Sequence, residues 1–189
     1  MDKYYFLAFD KAVDRKLTRQ SLLPGFPTDV ELIWLNDFIC YFICDANIDQ
    51  SINDLLPLWE NDLATRIAAL VCHRDDELAQ SALQLAGKYQ SGKLSNLFDI
   101  ALLAVRKQET AFLQLCERCF TAVSPELLRT MQAFLLSNDS AKQASYNIYI
   151  HRNTWLYRLN KFIDQTGLDL RDSDNAAFFR FWLSWQKIK

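Results

Sequence analysis

The sequence predicts an α+β/α chain: an α/β domain over residues 1–120, then an all-α domain over residues 121–189. Three observations lead there. Apolar runs of strand length alternate with amphipathic segments up to about residue 105, the pattern of helices packed on one sheet. After Val123 no strand-like run recurs, and helix-start signals take over. Only four glycines and four prolines punctuate 189 residues, so the elements are long and the turns few.

In order, Tyr4–Phe9 ("YYFLAF") is an aromatic, apolar run that reads as a buried strand. "DRKLTRQSLL" is weakly helical and stops at the turn "PGFP", residues 24–27. Residues 31–45, "ELIWLNDFICYFICD", read as two strands around a tight "LND" turn. Residues 51–63 predict a helix capped by Ser51 and interrupted by Pro57. "RIAALVCH", 66–73, is another strand. Residues 74–90 form a helix whose Leu78, Ala82, Leu85 and Ala86 share a face and whose first turn is acidic. Residues 94–105 suit a strand, a short helix, or one after the other, and 108–120 a helix.

The second domain opens at "SPELLRTMQAFLLS", where Ser124 caps, Pro125 takes the first helical position and Glu126 follows. A short helix near Ala141–Tyr146 and a turn around Asn147–Ile150 precede a longer helix, about 151–165, that ends at Gly167. The aromatic "NAAFFRFWLSWQKI", 175–188, is the last helix, and its ring content implies heavy burial, either wholly in core packing or with part left for a subunit contact.

Charge is uneven. Residues 1–123 hold 12 Lys+Arg against 17 Asp+Glu, residues 124–189 hold 9 against 6, and Ser140–Lys161 holds four cations and no acid. On a helical wheel Trp155, Leu156, Leu159, Phe162 and Ile163 fall on one side of the 151–163 helix. Asn153, Thr154, Tyr157, Arg158, Asn160 and Lys161 fall on the other. Solvated helix faces usually mix charge signs, whereas this one suits a polyanion. Amides pair with adenine, Arg and Lys with guanine or phosphate, and hydroxyls with phosphate. Short helix, turn and longer helix have helix-turn-helix spacing. The expected DNA-facing set is His151, Arg152, Asn153, Thr154, Tyr157, Arg158 and Lys161, with Lys142 on the short helix. The wheel turns Arg152 toward the docking side, so it reaches either a phosphate or an internal acid.

The string "IYIHRNTWLYRLNKFIDQTGLDLRDSDN" resembles the C-terminal helix-turn-helix of PucR/CdaR-type transcription regulators over about residues 124–187. It carries their His151-Arg152-Asn153-Thr154, Tyr157-Arg158-Leu159 and Thr166-Gly167-Leu168-Asp169-Leu170 blocks. Ser145, Tyr146 and the bulky Trp155 depart from the usual pattern. More weakly, the order of elements in 1–105 is similar to the degenerate GGDEF-like domain, with its ferredoxin-related sheet, that often precedes this unit in the family. There "WLNDF", 34–38, takes the place of the glycine-bearing turn of a nucleotide cyclase, with Trp34 and Leu35 where glycines would stand. Bulky side chains there block close approach of a phosphate, so no cyclase activity is expected. Asp10, ending the first strand, is read as a solvated carboxylate rather than a metal ligand. The family commonly has a sensory region upstream, so a chain that starts at Met1 is expected to lack the usual effector site.

The resemblance implies a non-enzymatic, sequence-specific DNA-binding regulator, working as a homodimer on double-stranded DNA because one such unit covers little operator. A small-molecule effector is left open. The alternative is an interaction or ligand-sensing protein that keeps the bihelical fold without reading DNA. No export signal or membrane-length apolar run is visible, and five cysteines read as reduced thiols, so a cytoplasmic protein without cofactor or metal is expected. "CERC", 116–119, lies within a helix and reads as core cysteines rather than a redox or zinc pair, and His73 as a surface or capping residue.

Overall fold

A computed structural model describes residues 3–26, 30–137 and 140–188, so Pro27 of the "PGFP" turn lies outside it. The chain divides into two compact units, Met1–Ala104 and Val105–Lys189.

The first unit runs β1 (Lys3–Phe9), α1 (Arg15–Leu22), β2 (Ile33–Trp34), β3 (Ile39–Cys44), α2 (Asp49–Leu63), β4 (Ile67–Cys72), α3 (Glu77–Tyr89) and β5 (Leu94–Asn96), with α4 (Leu97–Lys107) crossing the unit boundary. The five-stranded sheet has the order β2-β3-β1-β4-β5. β1 lies antiparallel between β3 and β4, with Phe6 opposite both Tyr41 and Leu70. This is the split βαβ arrangement of ferredoxin-like sheets. β5 then adds parallel to β4 after the α3 crossover.

Strand alternation decides the core. Tyr5, Leu7 and Phe9 point to the same face as Cys40, Phe42, Ile67, Ala69 and Val71, where Leu22 of α1 and Ile52, Leu56, Trp59 and Leu63 of α2 cover them. β4 is buried along its whole length because α3 packs on its other face, which is why it reads as an unbroken apolar run. Residues 94–105 turn out to be strand then helix, β5 running directly into α4.

One cap was misread. α2 starts at Asp49, after Ile48 and without a side-chain cap, and Ser51 sits inside the first turn. Asp49 has two ties that Ser51 could not make: Tyr5 Oη donates to it at 2.7 Å and Lys3 Nζ at 3.1 Å. Burial, then that hydrogen bond to a carboxylate, pushes the Tyr5 phenol well above its usual range. Asp10 is likewise structural. Thr65 Oγ1 donates to it at 2.5 Å and the Arg66 amide at 3.2 Å, clamping β1 to the start of β4. The Thr65 bond first, then the Arg66 amide and nearby cations, hold its carboxyl below the usual range, against some desolvation.

The β2–β3 turn closes without glycine. Asn36 Oδ1 accepts the Phe38 amide at 2.8 Å, an Asx turn. Arg15 of α1 bonds Asp37 at 2.8 Å and lies 5.3 Å over the Trp34 ring, which stacks on Phe9.

The second unit holds α5 (Thr110–Thr121), α6 (Pro125–Leu136), α7 (Ala141–Asn147), α8 (Arg152–Thr166) and α9 (Ser173–Ile188). Its centre is aromatic: Phe120 of α5 meets Trp182 at 4.2 Å, Phe179 at 5.4 Å and Phe162 at 6.4 Å between ring centroids. α5 therefore joins this unit, and within "CERC" Cys116 is buried while Cys119 is only partly so. No described helix is long and apolar enough to cross a membrane.

Burial pushes the Cys40 and Cys72 thiols up to about 12. The thiolate is the reactive form, so in the folded protein at mildly alkaline pH a chromogenic disulfide reagent should modify Cys119 first and leave Cys40 and Cys72 until denaturant is added. Mass mapping of the labelled thiols checks this; early labelling of Cys40 or Cys72 would contradict the burial of the sheet on the face that each occupies.

Candidate nucleic-acid interface

α6 is the platform. Ser124 Oγ accepts the Leu127 amide at 3.3 Å, with Pro125 in the first turn, as the sequence predicted. Its buried stripe, Leu127, Thr130, Met131, Phe134 and Leu135, receives both following helices. α7 is capped by Ser140 and anchored by Ala144 and Ser145, which are buried. The turn to α8 passes through Tyr149 at φ 53°, a left-handed conformation in a non-glycine residue. Amides of Ile148, Tyr149 and Ile150 donate back to Ala144, Tyr146 and Ser145 carbonyls at 3.0–3.3 Å, so the turn is closed by its own backbone.

α8 docks through Trp155, Leu159, Phe162 and Thr166, all buried. Trp155 packs on Phe134 at 5.3 Å and Phe162 on Phe179 at 5.3 Å. The helix begins at a histidine cap: His151 Nδ1 accepts the Asn153 amide at 3.1 Å. It ends at Gly167, φ 68°, whose amide bonds the Ile163 carbonyl at 2.7 Å. Beyond it, Arg171 grips the buried Asp169 carboxylate with Nε at 2.9 Å and Nη2 at 2.6 Å, and this contact raises the Arg171 pKa. Asn175 donates to the Asp169 carbonyl at 3.1 Å and Asp172 caps α9. The Thr-Gly-Leu-Asp-Leu block thus serves to set α8 against α9.

Of the sequence-predicted site residues, His151, Arg152, Asn153, Thr154, Tyr157 and Lys161 are exposed on one helix, with Lys142 exposed on α7. Arg152 is exposed at the first residue of α8. Arg158 differs. Its side chain is only 18% exposed; Nη1 donates to Thr130 Oγ1 at 3.1 Å and Nη2 pairs with Glu126, both on α6. The guanidinium is long enough to fold back over the platform, which a wheel cannot register. Leu156, placed with the docking residues by its angle, is 45% exposed. Tyr146 and Tyr149, outside the expected DNA-facing set, are 73% and 93% exposed and extend the outer surface across the turn. Their signal was aromatic residues in a polar turn.

Removing the tie should loosen α8. Arg158→Ala is expected to cost about 1–2 kcal/mol, because Thr130 and Glu126 lose a partner while Glu126 stays largely solvated. Gly167→Ala should cost on the order of 1 kcal/mol through its left-handed backbone. Urea unfolding checks both, and an Arg158→Ala midpoint equal to wild type would deny the tie any role.

Residues 127–184 match the PucR C-terminal helix-turn-helix domain. A "Leucine-rich protein" of Streptococcus dysgalactiae subsp. equisimilis is 25% identical over 160 residues, covering 77% of this chain and 56% of that protein. The proline-responsive transcriptional activator PutR of Bacillus subtilis (strain 168) is 34% identical over 74 residues, 39% of this chain and 15% of PutR. The purine catabolism regulatory protein of the same organism is 31% identical over 62 residues, 33% of this chain and 12% of that protein. The chain thus spans a little over half of the streptococcal relative and a small part of the two Bacillus regulators. Helix geometry, capping glycine and sequence match agree: residues 127–184 are similar to the PucR-type C-terminal helix-turn-helix domain.

Proposed function

We propose that this chain is a sequence-specific DNA-binding transcription regulator in which α8 enters the major groove. One observation carries the reading: Trp155, Leu159 and Phe162 hold α8 by one side, so that Asn153, Thr154, Tyr157 and Lys161 stand exposed on the other and Arg152 is exposed at its first turn, with no acid between Ser140 and Lys161. Asn153 and Thr154 in the first turn suit base edges, and Arg152, Lys161, Lys142 and the Tyr157 hydroxyl suit phosphates. His151 acts first as the cap that orients that turn, and Arg158 sets the pitch of α8 through α6. One unit this small reads few base pairs, so the working species is a homodimer on paired half-sites.

The N-terminal unit is read as a degenerate GGDEF-like domain without cyclase activity. Support comes from the Trp34-bearing hairpin turn, filled by Arg15 and closed by Asn36 where a phosphate would need open backbone. No effector class is assigned to it.

A second reading is favoured by one observation, the commitment of Arg158 to Glu126: a helix-turn-helix kept as a protein-docking surface, with Tyr146, Tyr149, Leu156 and Tyr157 as its apolar contacts. Binding-site selection from a random duplex library at low salt separates the two. DNA reading predicts an enriched motif and an affinity that falls steeply with salt. Arg152→Ala and Lys161→Ala should each weaken all duplexes and flatten the salt slope by roughly one unit, whereas Asn153→Ala should cost about 1–3 kcal/mol on the selected motif and relax one position. No enriched motif, together with unchanged binding by Lys161→Ala, would leave the docking reading in its place.

A further inference from the structure

α7 ends in a turn to which tyrosine is poorly suited. The Ile150 amide donates to the Ser145 carbonyl at 3.0 Å, and the Tyr149 amide to the Tyr146 carbonyl at 3.1 Å. These are the two bonds of a Schellman motif. They put Tyr149, φ 53°, at the left-handed position that glycine or asparagine usually fills. A Cβ makes that backbone unfavourable. Burial of the ring would offset the strain, yet Tyr149 is 93% exposed. Ala64 and Gln108 share the left-handed φ but leave no ring in water. Neither backbone nor burial therefore favours tyrosine over glycine at this position. Strain that packing does not reward is characteristic of places where a ligand is gripped.

What lies around the ring indicates the ligand class. Tyr149 stands just ahead of His151, whose Nδ1 caps α8, and of Arg152, which begins it. Lys142, Arg152 and Lys161 are exposed on the two helices that the turn joins, and residues 140–163 contain no Asp or Glu. A neutral ring bearing a hydroxyl, set among cations and away from acids, suits the sugar and phosphate of a duplex. Its position favours the DNA backbone over the base edges. A recognition helix meets base edges with its first turn, here Asn153 and Thr154, so a residue ahead of the cap passes over the rim of the groove. An apolar protein partner would take the ring but leave the cations unanswered.

We propose that Tyr149 is an anchor for the DNA backbone: its hydroxyl donates to a phosphate oxygen while its ring lies against the adjoining sugar, which fixes the depth at which α8 enters the groove. This contact rests on the DNA reading of α8 and adds to it a residue without charge. That neutrality separates Tyr149 from Lys142, Arg152 and Lys161. A cation that meets a phosphate releases a counterion, whereas Tyr149 releases none, so its removal lowers affinity without changing the salt slope. Backbone contacts carry no base identity, so the loss is equal on every sequence.

The test is equilibrium binding of the full chain to two duplexes of equal length, one enriched by the selection above and one unrelated, across a salt series. Urea unfolding is measured on the same variants. Tyr149→Gly is expected to weaken both duplexes by the same factor, at least about fivefold, as the loss of a hydrogen bond to a charged group implies. Its salt slope should match wild type. Its urea midpoint should be no lower, because glycine adopts φ 53° without strain. Tyr149→Phe keeps the ring and loses the donor, so its affinity should fall between those of wild type and Tyr149→Gly. Loss on the enriched duplex alone would overturn the inference in favour of a base contact. A binding loss accompanied by a lower urea midpoint would overturn it too, since the tyrosine would then be holding the turn. A flattened salt slope would point to a displaced cation and equally overturn it. If wild type binds neither duplex, the DNA reading fails and this contact fails with it. If wild type binds the enriched duplex and Tyr149→Gly binds it equally well, this contact alone fails.

Discussion

The seating of α8 on the aromatic centre of its unit governs everything the surface can do. Trp155 meets Phe134 from α6, and Phe162 meets Phe179 of α9 and Phe120 of α5. These rings fix the rotation of α8 about its own axis. A turn of one residue, 100°, would bury Asn153 or Tyr157 and expose a ring, losing roughly 1.5–3 kcal/mol of apolar burial for each ring. The polar face is therefore held open by packing, and its chemistry is a consequence of what lies beneath.

That seating carries a cost. The Nε1 groups of Trp155 and Trp182 are buried without an acceptor among the described residues. An unmet buried donor costs about 1–3 kcal/mol, which offsets part of what the ring area contributes. Leu or Phe at 155 would avoid that loss but would fill less of the space against Phe134. The indole trades a hydrogen bond for volume, and the Arg158 tie to Glu126 and Thr130 adds a polar latch beside it.

The first unit was legible because its strands differ in their surroundings. β4, covered on both faces, is a continuous apolar run, β1 is an apolar run with Tyr5, Phe6 and Leu7 all buried, and β3 alternates as a half-covered strand does. The order strand, helix, hairpin, helix, strand, helix, strand followed from these runs and from turn residues such as Asn36. What escaped the sequence were details set by partners distant in the chain. Ser51 looked like a cap, but Asp49 had Tyr5 and Lys3 waiting 44 and 46 residues away to fix the helix start there. Asp10 is exposed, as a solvated strand end should be, but it is also fastened to Thr65 and Arg66, 55 and 56 residues away.

By itself the sequence determined where the elements lie, which helix carries the acid-free polar face, and that Gly167 ends it, because periodicity, composition and a positive φ are local properties. Tertiary structure alone decided which members of that face are free. Arg158 and Lys161 stand three residues apart and look equivalent on a wheel, yet one is drawn to Glu126 on α6 and the other is left in solvent. Leu156 and Leu159 differ in the same way, one 45% exposed and the other fully buried. A helical wheel gives the direction of a side chain but not what stands there. That depends on where α6 and α9 pack, and their packing is set by rings far along the chain.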